Sequence, residues 1–99
     1  MNWHKKLFLG SEAAKKKAKI ISNLENHKIS FGVYVIILSV NQKDIFDILP
    51  SHMLFKENYK DCEIVGISVT KDEAYEVCAK IINEVYDKTG TYKVREYFQ

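Results

Sequence analysis

The residues of this chain best placed for chemistry are small polar side chains at the ends of its two most apolar runs. Ser39 and Asn41 close the run Val33-Tyr34-Val35-Ile36-Ile37-Leu38-Ser39-Val40, and Ser68 and Thr70 close Ile64-Val65-Gly66-Ile67-Ser68-Val69. Open α/β sheets bind ligands outside the carboxyl ends of their strands. If the two runs lie side by side and parallel, Ser39, Asn41, Ser68 and Thr70 converge on one crevice. The free N–H groups of a helix opening at Thr70 then favour a small anion there. A local reading needs no ligand: Thr70 caps its helix, Asn41 caps a short turn, and the serines fit a tight sheet. Strand direction decides between the two.

Other reactive types give less. Cys62 and Cys78 are too far apart in sequence for a CxxC motif. Cys78 falls on the apolar side of a helix and reads as a small hydrophobe. Cys62 sits between Asp61 and Glu63, and neighbouring negative charge raises a thiol's pKa and lowers its reactivity. His4, His27 and His52 show no HxH or HExxH spacing, so neither a zinc site nor Cys–His catalysis is indicated. Asp44 with Asp47, and Asp72 with Glu73, suit helix starts, where acidic residues complement the dipole. Gly10, Gly32, Gly66 and Gly90 are isolated, so there is no phosphate loop. No catalytic residue, metal ligand set or cofactor is assigned, and the balance falls against an enzyme.

Charge offers a second candidate. Residues 1–30 carry seven lysines against two glutamates, or +5, inside a net +2, which leaves −3 for the rest. Lys15, Lys16 and Lys19 project from one side of a helix and could meet nucleic-acid phosphates. Against this, Arg95 is the chain's one arginine, and residues 12–28 hold no aromatic apart from the His27 imidazole. Sequence-specific readers depend on such groups. The bland alternative is a solvated lysine face.

The elements that must position these residues follow from periodicity. Ser11 caps a helix to about His27, with Ala13, Ala14, Ala18, Ile20, Ile21 and Leu24 on one broad side. Lys17 intrudes on that side. The Val33–Val40 run is β-branched and continuous, so it reads as a central strand covered on both faces. Asn41 to Ile48 reads as a short helical turn ended by Pro50. Met53-Leu54-Phe55 reads as either an edge strand or irregular core filling, and Ile64–Val69 as a second central strand.

Thr70-Lys71-Asp72-Glu73 is a capping box that opens a helix from about Lys71 to Thr89, with Gly90 as its left-handed stop. Glu76 with Lys80, and Glu84 with Lys88, are favourably ordered i,i+4 pairs. Tyr92 to Arg95 alternates like an edge strand.

This order, α-β-(short α)-(β)-β-α-β, predicts one α/β domain over residues 1–99, a two-layer sandwich, with α+β as the competing class. Residues 1–10 form an N-terminal segment and residues 11–99 the core. The 99 residues suffice for one core, to which 46% hydrophobic and 12% aromatic content give material. No run approaches a membrane span, no signal peptide is evident, and a cytoplasmic location follows by default.

The stretch Ile64 to Ser68, with Glu73-Ala74, Ile81-Ile82, Glu84-Val85-Tyr86, Thr89-Gly90, Val94-Arg95 and Tyr97-Phe98, resembles a family of small uncharacterised bacterial proteins. Tyr34-Val35-Ile36, Asp47-Ile48 and Pro50 carry the resemblance upstream, over roughly residues 31–98. It implies a free-standing bacterial cytosolic domain and transfers no catalytic residue.

Trp3, Phe8, Tyr92, Tyr97 and Phe98 lie near the two ends. They either pack those ends down or form a subunit contact. The reading that results is a small binding or regulatory module acting through protein–protein contact, with a homodimer as the expected state and no membrane partner. Nucleic-acid binding by the lysines and the small anionic ligand site are the alternatives.

Overall fold

A computed structural model describes residues 2–28, 32–41 and 44–99. Its frame is a four-stranded mixed sheet of β1 (Asn2–Leu9), β2 (Tyr34–Leu38), β3 (Phe46–Pro50) and β4 (Glu63–Ser68), in the order β1-β4-β2-β3. The helices are α1 (Ser11–Ala14), α2 (Lys17–Glu25), α3 (Lys71–Thr89) and α4 (Val94–Tyr97).

The two apolar runs do become the central strands, and the burial of Val35, Ile36 and Ile37 together shows why β2 has no polar face. Val35 and Ile37 join Ala13, Ile20 and Leu24 in one core cluster, while Ile36 joins Ala74, Val77, Ile81 and Val85 in another. Helices therefore cover both sides of the sheet. The α/β class holds, and the expected two layers are extended to helix–sheet–helix.

Three local expectations are corrected. Residues 2–9, expected outside the core, form an edge strand parallel to β4. Trp3, Leu7 and Leu9 pack toward α2, and Phe8 packs toward α3. The charged Lys5-Lys6 in the middle hid this two-residue alternation. Next, the expected turn from Asn41 to Ile48 gives way to β3, hairpin-paired with β2; positions 42 and 43 lie outside the described residues. Ser51 N–H donates to the Val33 carbonyl at 2.9 Å, so by antiparallel alternation Pro50 faces away from β2, where its missing N–H costs nothing. Finally, Tyr92–Arg95 is no strand: the chain turns into α4, whose Val94 is buried.

The first helix also differs from its expectation. It breaks at Lys15-Lys16, and α2 starts afresh at Lys17. One continuous helix would set Lys17 on the stripe of Ala13, Ile20 and Leu24, and burying an unpaired ammonium is costly. With the break, Lys17 is exposed. At the other end His27, at φ 56°, takes the left-handed position. Its N–H donates to Leu24 O and that of Lys28 to Asn23 O, a Schellman closure.

Met53-Leu54-Phe55 fills the core from a 3₁₀ turn, Ser51–Phe55, with Leu54 buried. That turn and a second, Glu57–Tyr59, carry the chain from β3 across to β4. Within β4, Ile36 pairs with Gly66 and Ile37 with Ile64, so Val65 is an inserted bulge residue. The bulge turns Val65 and Gly66 toward the same helix. A Cβ on Gly66 would lie 3.0 Å from Val77 Cγ1 and 3.0 Å from Ile36 Cδ1, so the missing side chain lets α3 seat closely.

Candidate functional site

The four small polar residues do not converge. β2 and β4 are neighbours but antiparallel, with Tyr34 opposite Ser68. Ser39 lies five residues further along β2, which at about 3.4 Å per residue sets the pairs roughly 17 Å apart. Two separate local networks result, and the single crevice of Ser39, Asn41, Ser68 and Thr70 is not formed.

In the first, the buried Ser39 hydroxyl donates to Asn41 Oδ1 at 2.9 Å, and that oxygen also accepts from the Asp44 N–H at 3.2 Å. Both bonds shape the β2–β3 connection. In the second, the Ser68 hydroxyl donates to the Thr70 carbonyl at 2.8 Å, and Thr70 Oγ1 accepts from the Glu73 N–H at 3.0 Å. Thr70 is the N-cap of α3, as its place in the capping box implies.

The other half of that box does more than the sequence suggests. Glu73 is only 8% exposed, although it falls on the polar side of a helical wheel. Its Oε1 accepts from the Val69 N–H at 3.3 Å and from the Ala13 N–H at 3.4 Å. One carboxylate thus serves the first turn of α1 as well as the start of α3, on opposite faces of the sheet. A Cβ on Gly10 would fall 1.9 Å from Glu73 Oε1, so only glycine leaves that position to the carboxylate. The anion preference of these helix starts is met from within the chain.

The surroundings of both thiols favour the protonated form. Burial pushes Cys78 up to about 11. Cys62 is also raised, chiefly by burial, with Asp61 acting in the same direction. His4 accepts the Lys6 N–H at Nδ1, and its Nε2 bonds the Phe98 carbonyl at 2.8 Å, so its ring ties β1 to α4. His27 stacks on Phe55 with ring centroids 4.9 Å apart. Among the described residues, no three His, Cys, Asp or Glu side chains are grouped to hold a metal ion.

The lysines separate in role. Lys15 Nζ is 3.3 Å from Glu12 Oε1, an exposed pair. Lys16 and Lys19 have no carboxylate within salt-bridge distance among the described residues, and with Ile20, Asn23 and Val33 they line a shallow groove. On α3 the ordered pair Glu76–Lys80 is not made; Lys80 Nζ reaches the Leu9 carbonyl at 3.4 Å.

A feature missed by sequence reasoning lies at the end of the sheet where β4 starts. Arg95 Nη2 donates to the Ser39 carbonyl at 2.5 Å and to the Asp44 carbonyl at 3.2 Å, fastening α4 to the β2–β3 hairpin. The hairpin exposes Val40 by 52% and Ile45 by 42%. At the C-terminal end of α3, Tyr86 and Tyr92 stack with centroids 4.9 Å apart, and are 48% and 62% exposed. Since β2 runs antiparallel to β4 while α3 returns along the sheet from β4, all four side chains fall at the same end. They are four of the five exposed large apolar side chains among the described residues, Tyr75 being the fifth. Of the terminal aromatics, Trp3, Phe8, Tyr97 and Phe98 pack into the two cores, and only Tyr92 is left outward. The signal available in sequence is the solitary Arg95, whose type alone does not say which carbonyls it meets.

In comparisons with protein-family models, curated proteins and solved structures, the chain matches none. No helix among the described residues is long and apolar enough to cross a membrane.

Proposed function

We propose that this protein is a cytosolic, non-catalytic interaction module that works through protein–protein contact, with a second copy of the same chain as its partner. The observation that carries the reading is the gathering of Val40, Ile45, Tyr86 and Tyr92 at one end of the sheet, around an arginine-fastened hairpin. Apolar side chains exposed singly are ordinary, but grouped ones mark contact surfaces. Aromatic residues are the usual energetic anchors of such contacts, and a stacked tyrosine pair is already ordered before binding.

Next to these residues along the chain, Lys88 and Lys93 are exposed, as are Asp44, Asp87 and Glu96. A rim of both signs suits a two-fold contact, in which each surface meets itself; a rim of one sign would repel its copy. The burial-raised thiols and the internally bonded Glu73 agree with a role in binding rather than turnover.

Sedimentation equilibrium tests the proposal. The expected mass is twice the 11.5 kDa of the chain, falling toward the single-chain value in Tyr92→Ala with an unchanged circular-dichroism spectrum. A single-chain mass for the wild type at about millimolar protein, where even a weak association of roughly −4 kcal/mol is populated, overturns it.

A further inference from the structure

We infer that the groove beside α2, lined by Lys16, Lys19, Ile20, Asn23 and Val33, is a docking site for the phosphodiester backbone of a nucleic acid, held without regard to sequence. It lies on the opposite face of the sheet from α3, and the inference is independent of the self-association surface.

Three observations carry it. The first is spacing. Lys16 is the N-cap of α2, and Lys19 and Asn23 follow within the helix, so the three line one groove along its first two turns, about 10 Å long. The second is charge. The segment Ser11–Lys28 holds five lysines against two glutamates, and the α3 segment Lys71–Thr89 holds three lysines against five acidic residues. The two helical layers are therefore opposite in sign, and an anionic chain is steered to the α2 layer. The third is availability. Lys15 is engaged by Glu12, but the ammonium groups of Lys16 and Lys19 meet no carboxylate among the described residues.

The break at Lys15-Lys16 contributes to this arrangement. It turns Lys17 out of the core side and begins a fresh helix whose first turn carries Lys19. The chemistry of the lining also sets what is read. Ammonium groups on flexible stems are point charges that follow phosphates, whereas base edges are read by planar forks. Asn23 adds an amide donor for a phosphate or sugar oxygen. Among the described residues the lining holds no aromatic ring on which a base could stack, so the expected contact is to the backbone, weak and strongly dependent on salt.

Fluorescence anisotropy of a labelled single-stranded 20-mer, titrated with the full chain, tests this. Two neutralised phosphates give a salt slope of about −1.4, so affinity should fall about 25-fold between roughly 20 and 200 mM salt. Lys16→Gln with Lys19→Gln should abolish binding at the lower salt while leaving the melting midpoint unchanged, since both side chains are exposed. Lys71→Gln with Lys80→Gln, exposed on α3 across the sheet, should leave binding as it is. Duplex of the same length should bind with a steeper slope, about −1.8. Absence of binding at low salt overturns the inference, as does binding that survives the Lys16/Lys19 double change, or binding of inorganic polyphosphate but of neither nucleic acid.

Discussion

Glu73 Oε1 accepts a hydrogen bond from the backbone N–H of Ala13, 60 positions earlier in the chain and on the far side of the sheet, at 3.4 Å. The same oxygen accepts from the Val69 N–H at 3.3 Å. A single buried carboxylate therefore fixes the start of α1 relative to the start of α3. It reaches past the edge of the sheet where Gly10 follows β1, and that glycine leaves it room. Buried donors that lose their acceptor carry the full desolvation penalty, so this junction couples the two helical layers.

Replacing Glu73 by Ala should lower stability by about 2 kcal/mol. Gly10→Ala should cost a similar amount, because its Cβ meets Oε1, Cδ and Cγ of Glu73 at 1.9, 2.2 and 2.3 Å. The two losses should not add. In the Glu73→Ala background all three atoms are gone, so Gly10→Ala should be close to neutral there, a coupling of about 2 kcal/mol. Urea unfolding of the four proteins measures it. Additive losses would mean that Gly10 is required for another reason.

Arg95→Ala should loosen the hairpin without unfolding the domain. The guanidinium holds the carbonyls of Ser39 and Asp44, and bonds of this charge-assisted kind contribute about 1.5–3 kcal/mol. Hydrogen exchange should accelerate at the Ser39 amide, which donates to the Ile45 carbonyl, while the amides of β4 keep their protection. Arg95→Lys should restore little, since the shorter side chain ends short of the Nη2 position from which both carbonyls are reached.

Thiol chemistry should report the burial of Cys78. With its folded value pushed up to about 11 from an ordinary 9.0, the native state keeps a proton that the unfolded chain has lost between those values. Proton uptake is then greater in the folded state, so stability falls as pH rises from 9 toward 11. Cys78→Ala should flatten that part of the stability profile. At neutral pH a thiol-specific reagent should label neither cysteine until denaturant is added. Rapid labelling of the native protein would contradict the assignment.

These expectations rest on features of unequal visibility. The capping box at Thr70 and Glu73, the stop at Gly90 (φ 73°) and the central strands were legible, because each is decided within a few residues. β1 was hidden, since an edge strand needs only alternate apolar positions, and Lys5-Lys6 masked them. β3 was mistaken for a helical turn because Pro50 ends either element. Its alternation, with Phe46 and Ile48 toward one core and Leu49 toward the other, becomes meaningful only beside β2.

By itself, the sequence determined the class of the fold, the two apolar strands and the long closing helix, all of which follow from local periodicity and capping. Tertiary structure alone decided strand direction, and with it the fate of the candidate site. Because β2 and β4 are antiparallel, Ser39 with Asn41 and Ser68 with Thr70 stand at opposite ends of the sheet. Contacts between distant segments made Glu73 a buried link to Ala13 and gathered Val40, Ile45, Tyr86 and Tyr92 at one end. Pairing and packing join residues far apart in the chain, and local propensity carries no information about which distant partner a residue will meet.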